Sequence, residues 1–558
     1  MSMFEEPKDF VPVKIPMRDG ATLLGDLYVP QYLPDGTGPY PTLVRMTPYP
    51  RRRRGLHSEI QYAVAHGYAV LIVSQRGRFG SDRHPDGHEG PVTGVDGYDT
   101  IEWAAEQKWS TGRVGTFGIS SDGQWQLFAA VEQPPHLSAA FVSYPANAGD
   151  GRIENGVYTS TGVGWHALND AFSRPLMNLE DWQEWLGDWQ KSELPMLTSL
   201  IHPTLLSQFT HPPDDPYWTS TDPSNNFDRV NVPVLLECGW FDRYVRWTLQ
   251  IFSDLRTKGQ EKARPHHRLL LGPWLHGGTV PPSPAPAIFA PEASIDRRAL
   301  HVRWFDQWLK DEDTGVVDDA PVRIYVMGSH KWITAETWPL PGINAKRLFL
   351  RTGDGSKTDS LNDGQLLVDA APSGEEPDSF EHNPYDPVPT IGGHGGFGRW
   401  WGGGPLDQRP SEKRCLTYST QVLDEDLTVI GAIRASIHAS STAQDTDFVL
   451  TISDVYPDGY SAILRQTPMS GRYRRKGHDQ PLKGGEPFHF EVEFPAIANV
   501  FKAGHRLRLT IASSSFPAFL PNPGTGEPPH LAAKAVRAMN QIFHGPDSPS
   551  FLELPVLG

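Results

Sequence analysis

Six short runs in the first half of the chain are apolar almost from end to end: Thr42–Met46, Ala69–Ser74, Val114–Phe117, Ala139–Tyr144, Val234–Cys238 and His267–Leu271. A strand with one wet face alternates apolar and polar residues. A strand buried on both faces does not. Between these runs lie helix-like stretches near Ile60–His66 and Tyr98–Glu106. Runs of this kind separated by helices predict a parallel sheet covered on both sides. Ahead of it, Val11–Met17 and Thr22–Val29 flank an Arg18-Asp19-Gly20 turn and predict a hairpin. Behind it, a helix at Arg297–Lys310 places Leu300, Trp304, Phe305 and Trp308 on one face.

The pattern changes twice. Between residues 145 and 226 the chain is rich in Trp and polar residues, with helical periodicity in Leu179–Leu186 and Trp189–Leu200. It reads as a helical cap inserted between two strands. From residue 340 to 558 alternation dominates, as in Val429–Ile437, Phe488–Phe494 and Leu507–Ile511, and turns are frequent. That predicts a β jelly roll. The expected organisation is therefore residues 1–144 and 227–339 as one α/β domain, 145–226 as the cap and 340–558 as the β domain. The Gly-rich run Gly392–Gly404 is expected to be a loop of the last.

Composition excludes several classes. The formal net charge is -16, so nucleic acid and anionic lipid are not expected partners. No stretch reaches the roughly 18 apolar residues of a membrane helix. The start, MSMFEEPKDFVP, has no basic or apolar leader, and two cysteines, Cys238 and Cys415, form no disulfide framework. A cytoplasmic protein is expected. No metal or cofactor motif is present; His266-His267 precedes a strand and is read as structural.

The sharpest chemical signal is Val114-Gly115-Thr116-Phe117-Gly118-Ile119-Ser120-Ser121-Asp122-Gly123, a strand entering a tight turn and then a helix at about Gln124–Val131. A serine at such a turn presents its hydroxyl, and its neighbours must be small. The usual pattern has glycine two before and two after the serine. Here the second glycine comes three after, and Asp122 holds the expected place. A nucleophilic serine needs a base, and the base needs a carboxylate to fix its tautomer. Asp242 follows the run Val234–Cys238, and His276 follows His267–Leu271. The order Ser, Asp, His at the carboxyl ends of parallel strands is that of an α/β-hydrolase.

With these residues in view, the chain resembles the cocaine esterase-like acyl hydrolases, the CocE/NonD family related to the X-prolyl dipeptidyl peptidases. The resemblance runs through Val13–Gly20, Thr47-Pro48-Tyr49, Gln75-Arg76-Gly77-Arg78, the serine turn, Gly239-Trp240-Phe241-Asp242 and Gly272-Pro273-Trp274-Leu275-His276. It continues into Asp407-Gln408-Arg409-Pro410 and Thr446-Asp447-Phe448. It implies an α/β-hydrolase fold with an inserted helical cap and a C-terminal jelly roll, and a triad of Ser120, His276 and Asp242. It further implies an oxyanion hole made by the Tyr49 hydroxyl and the Ser121 N–H. Where the family commonly has tyrosine after the nucleophile, this chain has Ser121.

Trp125, Trp165 in the cap and Phe397 in the Gly-rich loop are candidates to line an acyl pocket. Arg51–Arg54, with Arg243 and Arg246, forms either a solvated loop or a cationic rim that selects anionic substrates. The implied activity is cleavage of a small-molecule ester through an acyl-enzyme, without a cofactor or metal. The alternatives are amide cleavage, as by an X-prolyl dipeptidyl peptidase or β-lactam acylase, acyl transfer, or a non-catalytic jelly-roll binding protein. A homodimer remains open.

Overall fold

The computed structural model describes residues 10–30, 38–82, 93–145, 153–159, 222–278, 280–281, 289, 291–353, 359–393, 403–475, 478–527, 532 and 534–558. The hairpin expected at the start is present, with β1 (Val11–Pro16) antiparallel to β2 (Thr22–Tyr28). There follow β3 (Tyr40–Thr47), α1 (Arg54–Ala65), β4 (Ala69–Ser74), α2 (Thr93–Ala105), β5 (Ser110–Ile119), α3 (Ser121–Val131) and β6 (Leu137–Ser143). Within the stretch read as a helical cap, described residues form a small hairpin of β7 (Ile153–Glu154) and β8 (Val157–Tyr158). The two helical periodicities expected there lie outside the described residues. Then come β9 (Val234–Phe241), α4 (Val245–Lys258), β10 (Arg268–Leu275), α5 (Arg297–Leu309), β11 (Val322–Val326) and β12 (Lys331–Ala335).

Ten of these strands form one sheet in the order β1-β2-β4-β3-β5-β6-β9-β10-β11-β12. Adjacent pairs from β4 to β11 are parallel. All eight residues of β9 and all six of β4 are buried. Two helix layers explain the unbroken apolar runs. Val70, Ile72, Phe117, Phe141 and Leu235 turn to one face and meet Leu56 and Ile60 of α1 and Trp304 and Phe305 of α5. Ala69, Leu71, Val73, Val142 and Leu236 turn to the other, toward Ile101 of α2, Leu127 of α3 and Phe252 of α4. Successive side chains of a strand point to opposite faces, so both faces of each run must be apolar. Leu300 and Trp308 of α5 pack, partly buried, on the same cluster as Trp304 and Phe305.

The C-terminal region is β-rich and builds a thirteen-stranded sheet, from Ile343–Arg351 to Phe551–Leu557. The strands Asp447–Val455 and Ser461–Ser470, around the Pro457-Asp458-Gly459 turn, are buried at every position. One reason is that the second strand faces the α/β half. Asn155 of the β7–β8 hairpin donates to Pro468 O at 3.0 Å, and the Arg465 guanidinium lies 5.9 Å from the Trp240 ring centroid. Backbone bonds also cross over: Met327 N donates to Ala498 O at 2.9 Å and Val500 N to Met327 O at 2.8 Å. A single apolar cluster runs from Ile15 to Leu554 through both halves. Among the described residues no helix is long and apolar enough to cross a membrane.

A core that crosses the boundary cannot be divided cheaply. A chain ended at residue 339 strips the cover from Trp240 and Met327 and is expected to be insoluble or to aggregate. Size-exclusion chromatography of the truncated chain checks this; a soluble monomer with a sharp thermal transition would show that the halves are independent.

Candidate active site

The turn at Ser120 is built by close approach. Ser120 joins β5 to α3 with φ 65° and ψ -126°. A non-glycine residue held there stores roughly 1–3 kcal/mol of strain and persists only where its surroundings fix it. Its N–H donates to Ser143 O of β6 at 2.9 Å, and its carbonyl accepts from the N–H groups of Gly123 and Gln124, each at 2.8 Å. A Cβ on Gly118 would run into the Asp122 carbonyl, and one on Gly123 would sit 2.5 Å from Ser143 O. Gly123 is therefore the residue at which the helix comes against β6. The position two after the serine need not be small, which explains the departure from the usual spacing. Its occupant, Asp122, is fully buried. Ser121 opens α3, where backbone N–H groups have no acceptor within the helix.

Asp242 and His276 follow directly on β9 and β10, which are neighbours in the sheet. His276 Nδ1 lies 2.6 Å from Asp242 Oδ2, and Asp242 Oδ1 accepts the Tyr244 N–H at 2.7 Å. Asp242 is 1% exposed. The rings of Tyr144 and Tyr244 stand edge-on to the His276 imidazole, with centroids at 5.5 and 5.7 Å. Burial, reinforced by Glu237, pushes the Tyr144 phenol well above its ordinary pKa, so it stays neutral. Cys238, on β9, is held protonated by burial and by nearby Asp242.

Behind the histidine is a pair that sequence reasoning missed. Glu237 on β9 is fully buried and accepts from Ser143 Oγ at 2.8 Å and from Arg297 Nη2 at 2.5 Å. Arg297, at the start of α5, also donates to the carbonyl of Gly277, the residue after His276, at 2.7 Å. Ser143 thus serves the turn at Ser120 with its carbonyl and Glu237 with its hydroxyl. The one signal available was an acid inside the apolar run Val234-Leu235-Leu236-Glu237-Cys238.

Tyr49 lies just beyond β3, half-buried, with its N–H donating to Thr47 Oγ1 at 3.1 Å. Arg51, Arg52 and Arg53 after it form neither a solvated loop nor a free cationic rim. Arg51 and Arg52 pair with buried Asp26 of β2 at 3.2 and 3.0 Å, and Arg51 also donates to Ser74 Oγ at 2.5 Å. Arg53 pairs with Asp122 at 2.7 Å. Arg243 and Arg246 are also engaged, donating to Thr159 Oγ1 and to the Glu493 carbonyl. Trp125, taken as a candidate pocket wall, is a core residue at 1% exposure, with its ring toward Gly97 of α2. Five residues along a helix carry a side chain about 140° around the axis from Ser120. Trp165 and Phe397 lie outside the described residues. His267 is structural: fully buried, it accepts the Val234 N–H at 3.2 Å, and burial lowers its pKa to about 3.

Residues 19–278 match the X-Pro dipeptidyl-peptidase (S15) family, and residues 314–553 match the X-Pro dipeptidyl-peptidase C-terminal non-catalytic domain. Cocaine esterase from Rhodococcus sp. is 31% identical, over 98% of each chain. The chain belongs to the cocaine esterase-like hydrolases. Solved structures with this fold include an aminopeptidase from a marine sediment Thaumarchaeota archaeon, with TM-score 0.84 and 23% identity over 100% of this chain and 98% of that one. An α-amino acid ester hydrolase superposes with TM-score 0.80 and 23% identity over the same shares. In this cocaine esterase-like hydrolase the contact between Gly123 and β6 is a tight constraint on the serine turn. Gly123→Ala forces α3 away from β6. It is expected to cost about 1–3 kcal/mol by overpacking and to lower turnover more than it raises KM. Urea unfolding alongside steady-state kinetics on an aryl ester checks both; unchanged stability and rate would refute the contact.

Proposed function

We propose that the protein is a serine hydrolase that cleaves carboxylic esters through an acyl-enzyme intermediate. The observation that carries this reading is the 2.6 Å pair of His276 and buried Asp242, on a strand end two strands from a serine held at positive φ. Ser120 attacks the carbonyl carbon while His276 takes the hydroxyl proton. His276 then gives that proton to the leaving alcohol, and water repeats the sequence on the acyl-enzyme. Asp242 fixes the tautomer by accepting from Nδ1, which leaves Nε2 to act as the base. The Tyr49 hydroxyl and the Ser121 N–H hold the oxyanion. No step calls for a cofactor.

The family match also admits amide cleavage. One observation favours esters without a free α-amino group. An ammonium group needs an unpaired carboxylate near the reacting carbon, and Asp122, the acid beside Ser120, is already held by Arg45 and Arg53. We read the β-rich C-terminal region as the jelly roll of this family, forming one side of the acyl pocket. The substrate is a small molecule, and the compartment is taken to be the cytoplasm.

A fluorophosphonate probe should label the native chain and leave Ser120→Ala unlabelled. That variant should fold normally and lose on the order of 10⁶ in turnover. Absence of labelling on the native chain would favour a binding protein instead. Tyr49→Phe should lower kcat by about 10²–10³, with little change in KM, because the carbonyl oxygen gains its charge mainly in the transition state. An effect on KM alone would make Tyr49 a substrate contact.

A further inference from the structure

Tyr49 and Ser120 stand on different loops. Tyr49 sits between β3 and α1, and Ser120 between β5 and α3. An oxyanion donor works only if it is fixed relative to the carbon that the nucleophile attacks. Some contact must therefore register one loop on the other.

Asp122 is placed to do this. It lies two residues after Ser120, in the first turn of α3, with no exposure. Arg45 of β3 already neutralises it, with Nε at 2.7 Å and Nη2 at 2.5 Å. Arg45 also reaches Glu59 of α1 at 3.1 Å. Burial opposes the Arg45 charge, but the two carboxylates outweigh it and raise its pKa above the ordinary value. The buried acid is thus paired without help from the loop. Arg53 nevertheless reaches it as well, at 2.7 Å, and lays its guanidinium 4.8 Å from the centroid of the Tyr49 ring. Arg51 and Arg52 pull the same loop the other way, onto Asp26 of β2. At 4.8 Å the guanidinium is within cation–π range of the ring.

We propose that Arg53 is a positioning residue for Tyr49, clamping the phenol ring from one side while anchored to Asp122, so that oxyanion donor and nucleophile turn are held as one body. This rests on the reading of Tyr49 as an oxyanion donor. Arg53 is 35% exposed in its side chain, and Arg45 keeps Asp122 paired without it, so its removal should scarcely affect stability.

A double-mutant cycle on kcat for an aryl ester tests the proposal. Arg53→Met is expected to lower kcat roughly 10-fold, with KM within about twofold and the thermal midpoint unchanged. Arg53→Gln, which keeps a polar group for Asp122 but no cation on the ring, should behave alike and stands in if the first variant folds poorly. In the Tyr49→Phe background, where the hydroxyl is gone, either Arg53 change should have almost no further effect. Multiplying effects would overturn the proposal, and so would an unchanged kcat in both Arg53 variants. If Tyr49→Phe itself keeps full kcat, the oxyanion reading fails first, and the proposal falls with it in a distinguishable way.

Discussion

A carboxylate buried without a counter-charge is so unfavourable that it takes up a proton instead. Asp26, Asp122 and Glu237 are all fully buried in the sheet or at its edge. Each is answered by arginine: Arg51 and Arg52 for Asp26, Arg45 and Arg53 for Asp122, Arg297 for Glu237. Burial alone would weaken the Arg297 charge, and Glu237 more than offsets it. Several of these arginines sit on connecting segments, and their charges draw those segments onto the strand ends. Tyr49 rides on the segment of Arg51–Arg53, Ser120 lies two residues before Asp122, and Arg297 also holds the carbonyl of Gly277, next to His276. A buried ion pair is a poor source of stability, but removing the sole partner of a buried charge costs about 3–5 kcal/mol. The pairs therefore act as locks on geometry.

The β-rich domain belongs to the same construction. Arg465 is fully buried and gives its hydrogen bonds to the carbonyls of Leu464, Pro495 and Ala496. Burial pulls its pKa down to about 9. Its guanidinium faces Trp240, two residues before Asp242, and the Trp240 indole donates to Tyr325 O at 2.6 Å. The strand that leads to Asp242 is thus backed by a side chain from the other half of the chain. This explains why Ser461–Ser470 is buried at every position although it lies outside the parallel sheet.

Much of the fold could be read locally. The continuous runs Ala69–Ser74 and Val234–Cys238 are strands with two dry faces, and the Arg18-Asp19-Gly20 turn closes the first hairpin. What escaped were features that depend on partners far along the chain. Asp122 looked like a departure from a motif because its arginines lie 77 and 69 residues away. The run Arg51–Arg54 read as a solvated loop or a cationic rim because the acids that pair with Arg51, Arg52 and Arg53, Asp26 and Asp122, lie far from it along the chain. The β7–β8 hairpin escaped because strands of two residues carry no period, in a stretch whose Trp-rich helical signal dominated.

By itself the sequence determined where strands end and which residues stand there: Ser120, Asp242 and His276 each follow an apolar run. In a parallel sheet all such ends lie along one edge, so order and spacing suffice to gather them. Only the tertiary structure decided which charges meet. Ion pairing depends on distances of a few ångströms and on which face of a strand a residue occupies, and one step of register reverses the face. Glu237 with Arg297, and Asp122 with Arg45 and Arg53, are consequences of that register, so only the folded chain reveals them.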